Sequence, residues 1–131
     1  MNKQKMHHVG IVVKDINKSI IDHVENYGLE QATDIINVKN QGVRVVLLKT
    51  GSDIFIELIE PVDEKSPSFN AVKRGGGLDH ICYETEDFSG TLDKFKNKIV
   101  RSPRPSPSNL FEKRKTFFIY RNHQLIEFLE K

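Results

Sequence analysis

The sequence predicts an α+β fold that contains two copies of one structural unit. Two pairs of similar segments support this prediction. HHVGIVVKDI at residues 7–16 resembles LDHICYETEDF at residues 78–88. FIELIE at residues 55–60 resembles LIEFLE at residues 125–130. Because the segments recur in the same order and at nearly the same separation, we interpret the chain as an internal repeat.

The repeat also matches polar residue types. Aligning His8 with His80 gives an offset of 72, and Glu57 and Glu127 are 70 positions apart. From His8 to Glu57 is 49 positions, and from His80 to Glu127 is 47. Each copy therefore has a histidine near its start and a glutamate near its end.

The first copy has the pattern of a strand, a helix and three further strands. Residues 7–14 are rich in β-branched apolar side chains, which is typical of a strand. Asp15 or Asn17 can cap the following helix, and Gly28 ends it. The three further strands are predicted at residues 31–37, 43–49 and 53–59.

The second copy repeats this order of elements. Residues 79–84 form its first strand, and Asp87 or Ser89 caps its helix. Its remaining strands are predicted at residues 100–103, 115–120 and 124–130. Between the copies, Ser66 and Pro67 favour the start of a short helix, because proline is common at the first helical position.

The length of 131 residues and the mass of 15.1 kDa predict a single domain, residues 1–131. We divide it into module one at residues 6–60, a connecting helix and glycine run at residues 61–77, and module two at residues 78–131.

Charge and hydropathy exclude several classes of protein. Twenty Lys and Arg against eighteen Asp and Glu give a net charge of +2, which excludes the strongly basic surface of a nucleic-acid-binding protein. No apolar run approaches the ~20 residues of a membrane helix, and the first residues do not resemble a signal peptide. The single cysteine, Cys82, cannot form an internal disulfide, so we expect a cytoplasmic protein.

The matched histidines and glutamates are candidate metal ligands. Side chains alternate between the two faces of a strand, so Glu57 shares a face with the apolar Phe55 and Ile59, and Glu127 with two leucines. A carboxylate among apolar neighbours loses hydration and needs a partner to stay charged. Two imidazoles and two carboxylates suit Ni²⁺, Co²⁺, Zn²⁺, Fe²⁺ or Mn²⁺. The alternative is that these are ordinary polar residues without a metal.

The segments HHVGIVVKDI, FIELIEP, DHICYETEDF and LIEFLEK resemble the vicinal oxygen chelate superfamily, and the resemblance covers essentially the whole chain. Members include glyoxalase I, methylmalonyl-CoA epimerase, extradiol dioxygenases and antibiotic-sequestering resistance proteins. The resemblance implies two βαβββ modules whose strands form a cupped, mostly antiparallel sheet around a divalent metal. It implies His8, Glu57, His80 and Glu127 as the ligands.

The resemblance leaves three functions open. We expect a glyoxalase I-like lyase of the lactoylglutathione lyase type, because position 57 is a glutamate rather than a glutamine and because of SPSNLFEKRKTFFIYRNHQ at residues 106–124. Residues 66–84 and 41–51 are instead similar to methylmalonyl-CoA epimerases, although Val45 replaces a carboxylate base that some epimerases carry. The third alternative is a non-catalytic small-molecule-binding resistance protein.

Both enzymatic alternatives remove a proton from a carbon next to a carbonyl. We expect Glu127 to be the base and Glu57 the second carboxylate. The substrate would be the hemithioacetal of methylglyoxal and a thiol, or an acyl-CoA thioester. The cations that could bind such an anion are Arg44, Arg104, Arg114 and Lys115. The superfamily often assembles as dimers, so we also expect a homodimer.

Other polar residues are predicted to lie outside the site. His7 should face away from His8, because adjacent residues of a strand point to opposite faces. Cys82 is expected to be a small buried thiol. The remaining residues in this group are His23, His123 and two glutamates expected to be solvated, Glu60 and Glu130.

Overall fold

The computed structural model describes residues 3–101, 106–108 and 110–131. The chain divides into two compact units. The first unit is His8–Asp79, and the second is His80–Lys131 together with the chain up to His7. These boundaries lie close to those of the predicted modules. The assignment of the whole chain to a single domain stays a prediction.

The first unit contains five strands, one long helix and one short helix. Its elements are β1 (Lys5–Val12), which enters this unit at His8, α1 (Ile16–Tyr27), β2 (Glu30–Gln31), β3 (Ile36–Val38), β4 (Val43–Lys49), β5 (Phe55–Pro61) and α2 (Phe69–Lys73). The strands are ordered β2-β4-β5-β1, and β3 also pairs with β4. β1 and β5 are parallel, and the other pairs are antiparallel.

Helix α1 and the sheet of the first unit bury an aliphatic core. Ile16, at the start of α1, is fully buried against Val46, Leu48 and Leu58 of β4 and β5. The helix ends where the sequence predicts, because Gly28 adopts a left-handed conformation with φ of 70°. Its N–H then bonds back to the last turn of the helix, which glycine allows without steric cost.

The second unit repeats this arrangement with a shorter helix. Its elements are β6 (Gly77–Thr85), which enters this unit at His80, α3 (Phe88–Phe95), β7 (Ile99–Val100), β8 (Ser106–Pro107), β9 (Lys115–Arg121) and β10 (Gln124–Glu130). The strands are ordered β6-β10-β9-β7, and β8 pairs with β9. β6 and β10 are parallel, and the other pairs are antiparallel.

The core of the second unit is aromatic. Phe117 and Phe128, on adjacent strands, lie 5.2 Å apart between ring centroids. Phe88 meets Phe117 edge-to-face at 5.4 Å, and Phe95 stacks on Phe128 at 5.5 Å. Because Phe88 and Phe95 both lie on α3, aromatic packing fixes this helix against the sheet.

Replacing either N-cap aspartate by alanine is expected to lower the free energy of unfolding by about 1 kcal/mol. Asp15 accepts a hydrogen bond from Lys18 N at 3.1 Å, and Asp87 accepts one from Gly90 N at 3.0 Å. Each substitution leaves a first-turn N–H without this acceptor. Urea unfolding measures the loss, with Asp22→Ala in the exposed part of α1 as the control. Unchanged stability of both cap variants would contradict the shared capping role.

The predicted strand at residues 31–37 is interrupted. The Ala32 N–H donates to the Leu47 carbonyl at 2.8 Å, but the Leu47 N–H donates to the Thr33 hydroxyl at 3.1 Å. A side-chain oxygen thus takes the place of a backbone carbonyl, and the stretch forms two short strands, β2 and β3. Strands 43–49 and 124–130 have the predicted bounds.

The connecting helix begins later than predicted. Ser66 Oγ accepts the Ser68 N–H at 3.2 Å and lies 2.9 Å from Ser68 Oγ, so Pro67 lies in a turn before the helix. The predicted strand at residues 100–103 ends at Val100, because Arg101 has a positive φ of 67°. Residues 102–103 lie outside the described residues. Within the described chain, no helix has the length and apolar character needed to cross a membrane.

Candidate metal centre

The first unit contains a buried histidine–glutamate pair on two parallel strands. His8 lies on β1, and Glu57 on β5 is in register with Gly10, two residues beyond His8 on the same strand face. His8 Nε2 is 3.2 Å from Glu57 Oε1. His8 is fully buried, and Glu57 is 7% exposed. Parallel pairing of β1 and β5 therefore joins two residues that are far apart in sequence.

The second unit contains the same pair in the same geometry. Glu127 on β10 is in register with Cys82, two residues beyond His80 on β6. His80 Nε2 is 3.2 Å from Glu127 Oε1, and both residues are 4% exposed. The repeat seen in the sequence thus extends to the register of the strands and to the contact between the side chains.

The donor atoms fit a divalent metal. Each pair offers an imidazole nitrogen and a carboxylate oxygen, which are the ligands preferred by Ni²⁺, Co²⁺, Zn²⁺, Fe²⁺ and Mn²⁺. A carboxylate with so little exposure needs a positive partner, because burial removes the water that would stabilise its charge. A divalent cation or an imidazolium can supply that charge. The structure brings together His8 with Glu57, and His80 with Glu127.

The three other histidines have surroundings that differ from those of the two pairs. The ring of His7, which is half-buried, meets Phe111 edge-to-face at 5.3 Å. The His23 ring bonds to the Ser19 carbonyl within α1 at 2.7 Å, and His123 is exposed in the turn after β9. Cys82 is fully buried, as predicted.

The structure adds an aromatic neighbour that the sequence interpretation did not single out. Phe118 on β9 is in register with Glu127, and its ring meets the His80 ring edge-to-face at 5.2 Å. The guanidinium carbon of Arg101 lies over the Phe118 ring, 5.4 Å from the ring centroid. Strand alternation around the predicted strand 115–120 is the signal that could have identified Phe118.

Arg44, one of the four cations that could bind an anionic substrate, has a structural partner. Arg44 Nη1 is 3.1 Å from Glu60 Oε1, and Glu60 Oε2 accepts the Ile16 N–H at 2.9 Å. The expectation that Glu60 is simply solvated is therefore wrong, because it links the start of α1 to β4. Arg104 lies outside the described residues. A role of either arginine in binding stays a prediction.

Arg114, another candidate anion-binding cation, and Glu130, which was expected to be solvated, also have partners in the structure. Arg114 donates to Glu84 at 2.9 Å and to the Glu130 carbonyl at 3.3 Å. The Glu130 carboxylate accepts the Lys115 N–H at 3.1 Å. These contacts join the end of β10 to the start of β9, so the expectation that Glu130 is simply solvated is wrong.

Comparison with known proteins gives the family. A model described as the Glyoxalase/Bleomycin resistance protein/Dioxygenase superfamily matches residues 7–118. The chain belongs to this superfamily. The resemblance inferred from the repeated motifs is thereby confirmed, and it extends over most of both units.

The relatives with known activities are epimerases. An ethylmalonyl-CoA/methylmalonyl-CoA epimerase of Cereibacter sphaeroides is 31% identical over 99 residues, which are 74% of this chain and 72% of that protein. The mitochondrial methylmalonyl-CoA epimerase of Homo sapiens is 29% identical over 103 residues, which are 77% of this chain. This chain spans 57% of the length of the human protein.

A solved structure supports the fold. The crystal structure of methylmalonyl-CoA epimerase from Mycobacterium tuberculosis matches with a TM-score of 0.84 and 25% identity, covering 99% of this chain and 92% of that one. The predicted α+β class with a mostly antiparallel sheet is confirmed. The comparisons favour the epimerase alternative over the glyoxalase I-like lyase that the sequence interpretation preferred.

Proposed function

We propose that the chain is a metal-dependent epimerase of a 2-substituted malonyl-CoA thioester. The observation that carries this proposal is the duplicated His–Glu pair, buried at matched strand positions in a chain related to methylmalonyl-CoA epimerases. The substrate class comes from those relatives. The location in the cytoplasm and the homodimer stay predictions.

The proposed ligands are His8, Glu57, His80 and Glu127, one pair from each unit. Support comes from the identical donor types, the equal Nε2–Oε1 distances of 3.2 Å and the matched register of the two pairs. Together, the two pairs would offer two nitrogen and two oxygen donors to the metal. Further coordination positions would remain for substrate oxygens. A bound divalent ion would stabilise negative charge that develops on the thioester oxygen.

The proton transfer is assigned to the two carboxylates. Glu127 takes the proton from C2 of the acyl group, and the C–H electron pair moves into the adjacent carbonyl to give an enolate. Glu57, protonated at the start of the turnover, donates its proton to the opposite face of C2, so the epimerisation leaves Glu127 protonated and Glu57 ionised. The burial of both side chains limits their contact with bulk water, so each proton moves to or from C2 through a carboxylate, which exchanges it with solvent between turnovers.

Incubation with methylmalonyl-CoA in D₂O tests the function. We expect incorporation of deuterium at C2, measured by mass spectrometry, and loss of this exchange after treatment with a chelator. The hemithioacetal of methylglyoxal and glutathione serves as the competing substrate. Formation of S-lactoylglutathione without exchange at C2 of methylmalonyl-CoA would contradict the epimerase assignment.

Metal binding is a separate expectation. Titration of the chelator-treated protein with Co²⁺ should show one ion bound per chain, because each unit supplies half of the ligands. Affinity should fall as the pH falls, since imidazoles and carboxylates must lose protons before they bind a metal. Isothermal titration calorimetry measures both quantities. Two independent ions per chain would contradict a single site formed by the four residues.

A further inference from the structure

A cavity of about 260 Å³ lies on the face of the second unit's sheet that packs against α3. Its apolar walls come from β6, β9, β10 and the last residue of α3, and they are formed by Tyr83, Phe95, Ile119, Ile126 and Phe128. Ile126 and Phe128 flank Glu127 along β10, so their side chains point to the sheet face opposite that of Glu127. The cavity is therefore separate from the His80–Glu127 pair.

The internal repeat shows that the two units differ at this place. Strand register equates Leu48 and Leu58 of the first unit with Ile119 and Phe128 of the second. The two leucines are fully buried in a core cluster against which Leu29, just after α1, also packs. Helix α3 has 8 residues against 12 in α1, which makes it about 6 Å shorter. The shorter helix covers less of the sheet, and the equivalent positions border the cavity.

The walls of the cavity suit a compact apolar group. The rings of Tyr83 and Phe95 lie 6.3 Å and 5.5 Å from that of Phe128, measured between centroids. Tyr83 and Phe95 are only half-buried, so part of each ring remains accessible. Aromatic groups attract a further aromatic ring beyond the effect of buried area. Since an apolar cavity of about 150 Å³ binds benzene, this one has room for a phenyl ring with a short chain.

The mouth of the cavity carries one positive charge. Arg121 and Gln124 are cross-strand neighbours, joined by a tight turn in which Asn122 and His123 have φ of 53° and 64°. Arg121, Asn122 and Gln124 are exposed and line the cavity. Among the lining residues that the structure describes, Arg121 alone is charged, and its side chain makes no hydrogen bond or ion pair within the described chain. Its N–H donors match the two oxygens of a carboxylate.

We propose that this cavity binds a small apolar carboxylate. Its hydrocarbon part lies against Tyr83, Phe95 and Phe128, and its carboxylate lies at Arg121. The side-chain amides of Asn122 and Gln124 supply further donors at the mouth. The inference does not depend on the proposed function, because the cavity and Glu127 lie on opposite faces of β10.

NMR titration of the Zn²⁺-loaded protein with 3-phenylpropionate and with its neutral analogue 3-phenylpropanamide tests the proposal. We expect both probes to shift the side-chain amide signals of Asn122 and Gln124, and the carboxylate to bind about fivefold more tightly than the amide. Arg121→Gln should remove this preference without weakening the binding of the amide. Lys98→Gln, which removes an exposed charge of the second unit that does not line the cavity, is the control and should retain the preference.

A second variant tests the apolar part of the cavity. Ile126→Phe places a larger side chain in it and should prevent the binding of both probes, whereas Ile126→Val should still bind them. Circular dichroism shows whether each variant is folded, and the exposed position of Arg121 keeps the first comparison decisive if Ile126→Phe does not fold. Failure of both probes to bind the wild-type protein at millimolar concentration would overturn the inference. Equal affinities for the two probes, or signal changes confined to the surroundings of His80 and Glu127, would overturn it as well.

Discussion

A Glu127→Gln variant is expected to exchange the C2 proton of methylmalonyl-CoA about 10²–10⁴-fold more slowly than the wild-type protein. Glutamine keeps the size of the side chain and an oxygen that can face His80 Nε2. In the wild-type protein, this nitrogen lies 3.2 Å from Glu127 Oε1. It cannot accept a proton from carbon. The exchange rate is followed by mass spectrometry in D₂O, at a Co²⁺ concentration that saturates the variant.

Glu130→Gln is the matched control for this experiment. Glu130 lies on the same strand but on the opposite face, and its Oε1 accepts the Lys115 N–H at 3.1 Å. An amide oxygen can accept the same bond, so we expect an unchanged exchange rate. If Glu127→Gln exchanges as fast as the wild-type protein, then Glu57 or another group is the base.

Replacing His8 by alanine is expected to weaken the binding of Co²⁺ by more than the ~10–100-fold that the loss of an outer-shell partner costs. His8 is fully buried with Nε2 3.2 Å from Glu57. The substitution removes a nitrogen donor and leaves the Glu57 carboxylate without its imidazole. Calorimetric titration gives the metal affinity, and circular dichroism shows whether the variant is folded.

His7→Ala separates metal binding from a general loss of packing. His7 is adjacent in sequence, is half-buried and packs against Phe111 at 5.3 Å between ring centroids. Because adjacent residues of a strand are expected to alternate between its faces, the removal of His7 should leave the affinity for Co²⁺ nearly unchanged. Equal losses for the two variants would show that the histidine register of the repeat was assigned incorrectly.

Local features of the chain could be predicted from the sequence because they depend on residues close together in it. Asp15 and Asp87, each one of the two caps that the sequence allowed, cap their helices, and Gly28 ends the first helix as predicted. Strand alternation likewise predicted that Glu57 and Glu127 would lie among apolar side chains. The repeat also showed a histidine and a glutamate at matched places in each copy, and in the structure these two side chains lie 3.2 Å apart in both units. Their role as metal ligands stays a prediction.

Contacts that depend on the register of distant strands were decided only by the tertiary structure. Glu60 was expected to be solvated, yet the pairing of β4 with β5 places it beside Arg44. The Thr33 hydroxyl interrupts a predicted strand because Leu47 happens to lie opposite it. Phe118 reaches His80 through the antiparallel pairing of β9 and β10. The neighbouring residues in the sequence determine which face of a strand a side chain occupies and how apolar that face is. The pairing of strands determines which residue the side chain contacts across the sheet.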